Sequence, residues 1–583
     1  MKILLVAINA KYIHSNLAVY SLKANAGKYK DCVELIEFSI NHRSEDILKG
    51  IYKKNPDLLC FSCYIWNISM VEIIAREIRK VLPKVKIWLG GPEVSYNIDT
   101  GLLRKPFIDG IMIGEGEETF QDLITYYIEK AGESFFPIVG IAFKNSKEEI
   151  VMTLPRPIMD MAKIVFPYKD LSDFTNRILY YETSRGCPYQ CSYCLSSIEK
   201  TVRFRPLSIV KQELQFFLDK KVAQVKFVDR TFNCNREHSR FIWNYLLEHD
   251  NGITNFHFEI TADLLEEEDF QIFRAMRPGL IQLEIGVQST NEKTMKAIHR
   301  NTDFEKLSYA IKRIKENKNI HQHLDLIAGL PWEDLTSFQT SFNDVYAIKP
   351  QQLQLGFLKV LKGASMEEDS KKYHIIYQEQ PPYEVLRTDW LSYDDLLLLK
   401  GIEEMVEVYY NSGQFVYTIL FLEHYFQDAF SMYKNLAKYY EQKGYFDKNH
   451  TRLQRFEILK EFFEEYIGKE NSKCFCELLT YDVYLRENSK TRPEFAPDQS
   501  DDKEQFRLFY QKEDKERKYL KNYAEFSRRQ LVTMTHIEHF SIDVIKTAQI
   551  GNPVWESQNL LFDYRERDPL SYQAKVIKIE IVS

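Results

Sequence analysis

The sequence lacks any uninterrupted apolar run near the ~20 residues that a membrane-spanning helix needs. Its opening, MKILLVAINA, has one lysine and a short apolar stretch closed by Asn9-Ala10-Lys11. That is too short for a secretory leader with its cleavage site, and it reads as a buried strand. Basic charge is not in surplus either: 77 Lys and Arg stand against 84 Asp and Glu, a net charge of −7. Composition therefore argues against gripping a phosphate backbone, and nucleic acid is not an expected partner. Nine cysteines in 583 residues are too few for a disulfide scaffold. No repeat of fixed period and no low-complexity tract interrupts the chain. What remains is a non-membrane protein, expected in the cytoplasm, whose length suggests about three or four domains.

Residues 1–135 alternate short apolar strands (Lys2–Ile8, Val33–Ser39, Asp57–Ser62, Val85–Leu89, Gly110–Ile113) with amphipathic helices such as Val71–Leu82 and Glu118–Lys130. Strand–helix alternation predicts a doubly wound α/β domain with a parallel sheet, which binds ligands in the loops beyond its carboxyl ends. Those loops hold Asn9–Asn16, Cys63–Asn67, Gly90-Gly91-Pro92-Glu93 and Gly114-Glu115-Gly116-Glu117. Glycines there let a backbone lie close to a flat ligand, or simply make tight turns. Residues 136–175 read as a linker with a hairpin over Val139–Thr153. A second alternating region, 176–370, has strands at Ile178–Glu182, Gln224–Val228, Asn255–Ile260, Leu280–Ile285, His321–Ile327 and Gln352–Leu358. Six such units make an open sheet or a partial (β/α)₆ barrel with chemistry at the carboxyl ends. Beyond Ser370 strands give way to helices (Tyr393–Tyr410, Thr418–Lys443, Thr451–Tyr466), so 371–583 is expected to be a mainly helical cap, with one edge-like strand at Ala574–Val582.

The sharpest signal is Glu182-Thr-Ser-Arg-Gly-Cys187-Pro-Tyr-Gln-Cys191-Ser-Tyr-Cys194, a C-x₃-C-x₂-C directly after a strand. Three thiolates within eight residues suit a 4Fe–4S cube: they cap three irons and leave the fourth open to chelate a small molecule. Tyr193, between the last two cysteines, is placed to shield the cluster or a base. The competing reading is zinc, which wants four tetrahedral ligands, and Cys234 is the only fourth thiol in the region. Cys60, Cys63, Cys474 and Cys476 read as core thiols.

The motif resembles that of the radical S-adenosylmethionine superfamily, and further segments match in order at successive strand ends: Phe258-Glu259-Ile260, Gly286-Val287-Gln288-Ser289, His299-Arg300-Asn301-Thr302 and Asp325-Leu-Ile-Ala-Gly-Leu-Pro331. The resemblance implies that Glu259 and Gln288 contact the ribose or the methionine part of S-adenosylmethionine. It implies that Arg300 pairs with the methionine carboxylate, a contact suited to a guanidinium fork, and that Asp325 reaches the ribose or orders its loop. Where many members carry Gly-Gly-Glu, this chain has Val228-Asp229-Arg230-Thr231-Phe232-Asn233, and the atoms that replace those glycines are left open.

The amino-terminal region resembles the cobalamin-binding members of that superfamily through Asp57-Leu-Leu-Cys-Phe-Ser62, Leu89-Gly-Gly-Pro-Glu93 and Ile113-Gly-Glu-Gly-Glu-Glu118. It implies a corrin held against Ser62, Gly90, Gly91, Gly114 and Glu115. The Asp-x-His-x-x-Gly of many cobalamin proteins is replaced by Asn9-Ala10-Lys11-Tyr12-Ile13-His14, so base-off binding without an imidazole is expected, with His14 read as a helix-start residue. The resemblance implies reductive cleavage of S-adenosylmethionine, fed by an external one-electron donor of the flavodoxin or ferredoxin type, and methylation of an unactivated carbon. Two rivals are a cobalamin-independent radical oxidation or rearrangement, and a non-catalytic iron–sulfur or cobalamin-binding protein. Substrate and oligomeric state are not legible.

Overall fold

A computed structural model describes residues 1–581 except 97, 99, 100, 131–133, 136 and 146. The amino-terminal sheet comprises β1 (Ile3–Asn9), β2 (Val33–Ser39), β3 (Leu58–Ser62), β4 (Lys86–Gly90), β5 (Gly110–Met112), β6 (Ile141–Lys144) and β7 (Ile150–Met152) in the order β2-β1-β3-β4-β5-β6-β7. The first five are parallel. All seven residues of β1 are buried, as a central parallel strand covered on both faces requires. The helix Ile68–Val81 puts Ile68, Val71, Ile74, Ala75 and Ile78 on one buried face, the 3–4 spacing that packs a helix on a sheet. Strand order reverses at β1, so the crevice lies beyond the ends of β1 and β3.

The hairpin expected within the linker forms as β6 and β7 and pairs antiparallel with β5. It completes the sheet instead of standing apart, because its apolar residues Ile141, Ala142 and Phe143 are buried there. The second sheet runs from β8 (Leu179–Tyr181) through Gln224–Phe227, Asn255–Ile260, Ile281–Gln288, His321–Ala328 and Gln352–Phe357, all parallel and in sequential order. The first and last strands do not pair, so this is the partial barrel.

The carboxyl-terminal region departs from expectation in two ways. It carries a three-stranded antiparallel sheet, Thr535–Phe540, Gln558–Arg567 and Ala574–Ile579, beside its helices; Val582, at the end of the expected edge strand, lies outside the described residues. Its helices also pack beside the barrel, while Tyr383 reaches the Glu93 carboxylate of the Gly90-Gly91-Pro92-Glu93 loop. Phe342, Tyr346 and Leu353 of the barrel share one continuous core with Tyr409, Phe430 and Tyr433 of the helices, so the helices buttress the barrel's outer side. Among the described residues, no helix is long and apolar enough to cross a membrane.

Gly110 lies beside Trp88 in the sheet register, and a Cβ there would come within 2.5 Å of the fully buried indole. Gly110→Ala should therefore destabilise the amino-terminal sheet by about 1–3 kcal/mol through overpacking, read as a lowered denaturation midpoint. An unchanged midpoint would show that the indole has room to move.

Candidate active site

The carboxyl ends of the two parallel sheets face each other across a cavity of about 870 Å³. The amino-terminal loops contribute Asn9, His14 and Asn16 after β1, Ser62, Tyr64 and Trp66 after β3, Gly90 and Gly91 after β4, and Gly114 to Glu117 after β5. The barrel contributes Tyr180, Glu182, Arg185, Gly186, Lys226, Arg230 and Glu259. Gly91 has φ 117° and a Cβ there would sit 2.5 Å from the Cys63 carbonyl oxygen. Gly114 has φ 73° and a Cβ there would meet nothing within 4 Å, so its bare backbone faces open space. The Tyr64 and Trp66 rings stack at 4.4 Å. Glycine backbone and flat rings around one opening fit a broad planar ligand such as a corrin.

Two residues of this loop set make contacts that the sequence reading did not show. His14 does not start the helix: Asn16 caps it, accepting from Val19 N, while His14 Nδ1 lies 2.7 Å from the Tyr180 hydroxyl of the barrel. Burial lowers the His14 pKa. Glu115 lines the cavity and is also anchored by the protein, its carboxylate accepting from Met159 N at 2.8 Å and Arg203 at 2.6 Å, with Arg185 at 3.2 Å.

These contacts belong to an ion network under the cysteine loop. Arg185 donates to Glu182 on its own strand end and to Glu117 across the cavity. Burial, joined by the carboxylates of Glu117 and Asp229, pushes Glu182 up to about 7 against the pull of Arg185. Asp229 accepts from Thr183 N at 2.9 Å and Ser184 Oγ at 2.8 Å, and burial pushes it up to about 6. The chain is thus pinned on both sides just before the cysteines.

Cys187 and Cys191 are buried and Cys194 is half-buried. Among the described residues no three His, Cys, Asp or Glu side chains converge closely enough to share one metal ion. That is compatible with a cube, whose thiolates each bind a different iron. Arg300 Nη1 lies 3.7 Å from Cys191 Sγ, and Thr231 Oγ1 lies 3.6 Å from Cys187 Sγ. Half-buried Tyr193 packs on the barrel core, and burial pushes its phenol pKa up.

Gln288 is buried with φ 74°, at a bulge in the strand. Its Oε1 and Arg300 Nε are buried without a protein partner among the described residues. A Cβ on Gly286 would fall 2.3 Å from Gln288 Nε2 and 3.5 Å from Arg300 Nη2. Orphaned polar atoms beside a thiolate loop are what a bound polar ligand would satisfy, and they fit the S-adenosylmethionine expected at Gln288 and Arg300.

Deeper in the barrel, polar residues alternate along each strand. Glu284 is 2.8 Å from Lys226 and 3.0 Å from His257; although burial opposes it, those partners hold Glu284 well below the usual carboxylate range. Asp325 faces His323 at 3.0 Å, and burial raises its pKa. Glu259 pairs with Arg230 at 2.6 Å. Sequence reading missed Lys226, His257, Glu284 and His323, whose signal was polar residues at every second position of otherwise apolar strands; Arg230 falls in the Val228–Asn233 stretch whose role it left open.

An α/β protein with facing parallel sheets and a three-cysteine loop is now defined, and comparison with known proteins agrees. Residues 3–124 match the B12 binding domain, residues 181–345 the radical SAM superfamily, and residues 371–562 a family described only as a protein of unknown function (DUF4080). The chain thus carries a B12 binding domain followed by a radical SAM domain, and it is similar to cobalamin-binding members of the radical S-adenosylmethionine superfamily. It is 24% identical over 351 residues to the cobalamin-dependent radical SAM methyltransferase TokK of Streptomyces tokunonensis, covering 56% of this chain and 50% of that one. It is also 24% identical over 330 residues to an anaerobic magnesium-protoporphyrin IX monomethyl ester cyclase of Rubrivivax gelatinosus, covering 54% and 59%. The chain thus spans about half the length of the curated relatives it matches. In fold it resembles OxsB solved with aqua-cobalamin and S-adenosylmethionine (TM-score 0.55, 15% identity, 82% of this chain and 79% of that one). It likewise resembles TsrM from Kitasatospora setae (TM-score 0.54, 16% identity, 64% and 77%).

The Glu182 pKa predicts a signed pH effect. Its folded value, about 7, lies above the ordinary 4.5, so the folded state holds the proton more tightly. Its contribution to stability is therefore full at acid pH and falls as pH rises from about 4.5 to about 7. Glu182→Gln should cost most stability at acid pH and progressively less toward neutrality, measured as the difference in unfolding free energy from wild type. A pH-independent difference would show that the Glu182 pKa is the same in the folded and unfolded states.

Proposed function

We propose that this chain is a cobalamin-dependent radical S-adenosylmethionine methyltransferase acting on an unactivated carbon. The observation that carries the reading is the single cavity joining the glycine loops of the B12-type sheet to the mouth of the cysteine-bearing barrel. The name of TokK and the ligands of the OxsB structure support it. When bound, the cluster supplies the electron that cleaves S-adenosylmethionine, and the corrinoid carries the methyl group.

The chain's own residues then have distinct tasks. Cys187, Cys191 and Cys194 hold the 4Fe–4S cluster. Arg300 and Gln288 offer the buried polar atoms that take the methionine carboxylate and the ribose, with Glu259 and Asp325 lining the approach and Tyr193 screening the cluster from water. Ser62, Gly90, Gly91 and Gly114 give a corrin its bed. His14 is held by Tyr180, which supports base-off binding. The cluster draws its electron from an external flavodoxin- or ferredoxin-type donor in the cytoplasm.

Protein reconstituted without oxygen should hold about four irons per chain and, with dithionite and S-adenosylmethionine, release 5′-deoxyadenosine. Replacing Cys187, Cys191 and Cys194 by Ala should remove both properties, and full iron in that triple variant would sink the assignment. From cells given hydroxocobalamin the chain should carry about one corrinoid, its cob(II) resonance showing no nitrogen splitting from an axial imidazole. Gly114→Trp should lose the corrinoid and keep the iron. A wild-type chain without corrinoid would leave radical chemistry of a cobalamin-independent kind.

Arg300→Ala and Gln288→Ala should each weaken S-adenosylmethionine binding about ten- to hundredfold, the loss expected of one charge-assisted or buried hydrogen bond, at unchanged iron content. Wild-type affinity in both variants would show that the orphaned atoms serve another ligand.

A further inference from the structure

We propose that the Thr231 hydroxyl donates a hydrogen bond to the Cys187 thiolate and so raises the reduction potential of the cluster, a role that rests on the three-cysteine reading above. Thr231 Oγ1 lies 3.6 Å from Cys187 Sγ, within reach of an O–H···S contact. A cysteine that ligates iron carries no proton, so the hydroxyl must be the donor. Among the described residues this hydroxyl makes no other hydrogen bond.

The backbone commits the side chain to that direction. Thr231 has φ 55° and ψ 62°, the left-handed region, where a β-branched residue is an outlier. It occupies the stretch Asp229-Arg230-Thr231 that stands where many superfamily members have glycines, the residue that adopts a left-handed conformation without strain. Both flanks hold it there. Asp229 grips Thr183 and Ser184 at the start of the cysteine loop, Arg230 is tied to Glu259, and Cys234 N donates to the Thr231 carbonyl at 3.0 Å. Branching at Cβ restricts χ1 further. A glycine would relieve the strain and lose the hydroxyl, so strain and donor come together.

Hydrogen bonds to cluster sulfurs stabilise the reduced, more negative state and raise the potential. Cys191 receives a cationic donor from Arg300; Thr231 gives Cys187 a neutral one, independent of any ligand that Arg300 must also serve.

The test is a redox titration of the reconstituted full-length chain, followed by electron paramagnetic resonance, for wild type, Thr231→Val, Thr231→Ser and Thr231→Gly, each with iron determined. Val keeps the shape and removes the hydroxyl; Gly removes hydroxyl and strain together; Ser keeps the hydroxyl. The midpoint should shift negative in Val and in Gly and stay near wild type in Ser. If the Val variant does not hold iron, the Gly variant alone decides, since its backbone fits the loop without strain. A wild-type midpoint in the iron-loaded Val or Gly variant overturns the proposal, as does a Ser variant that shifts as far as Val. Wild-type protein that takes up no iron overturns the cluster reading and this role with it, whereas loaded variants with unmoved midpoints overturn this role alone.

Discussion

Arg185 sets its guanidinium between Glu182 at the end of β8 and Glu115 and Glu117 of the opposite sheet, with only 16% of its side chain exposed. A charge so placed costs several kcal/mol unless its partners are present, and those partners come from two different sheets. The arrangement is therefore stable only when the sheets meet carboxyl end to carboxyl end. Arg203 to Glu115 and Arg177 to Glu37 repeat the same cross-sheet pairing. Because Arg185 is two residues before Cys187, the network also fixes where the cysteine loop stands relative to the glycine loops. The cavity between them is a consequence of that register.

Most of what positions the cavity was written locally. The parallel strands of both sheets were visible, β1 and β3 as apolar runs because they are buried on both faces, and those of the barrel by apolar residues at alternate positions. The three cysteines were legible from spacing alone. The long-range partners were not. Nothing in the GEGE segment shows that Glu115 is held by Arg203, 88 residues further along the chain. His14 is similar: only the approach of β8 shows that its ring is held by Tyr180. In the carboxyl-terminal region the strand Thr535–Phe540 contains His536, Glu538 and His539, which reads as polar. Yet Glu538 is buried because Arg492 and Gln499 reach it from 46 and 39 residues away.

Backbone conformation carries information that residue type conceals. Gly186 (φ 92°), Thr231 (φ 55°) and Gln288 (φ 74°) all adopt left-handed geometry at or beside strand ends around the cysteines. At Gly186 a Cβ would collide with the Thr201 carbonyl oxygen at 2.4 Å, so glycine is compulsory there. At the other two positions a side chain is accepted at a cost of order 1–3 kcal/mol; Thr231 Oγ1 lies 3.6 Å from Cys187 Sγ, and Gln288 Oε1 is buried without a protein partner among the described residues.

A six-stranded sheet that does not close leaves two edges, and unpaired edge groups invite disorder or foreign pairing. Here each edge is met by a different part of the chain. On the first, Ile178 N donates to Ile13 O and its carbonyl accepts from Ser15 Oγ, so the loop after β1 serves as a partial seventh strand. On the last, the Asn411 side chain accepts from Leu353 N and donates to Leu353 O, both at 2.9 Å, in the manner of a neighbouring strand. Asn411 ends a π-helical turn, Glu407–Asn411, that interrupts the helical register beyond Val406; such turns re-aim side chains that a regular helix would point elsewhere. The amino-terminal region thus closes one edge with the same loop that lines the cavity. The carboxyl-terminal region closes the other from outside and contributes no cavity-lining residue among those described. Ligand contact and barrel closure are coupled on one side of the protein and separate on the other.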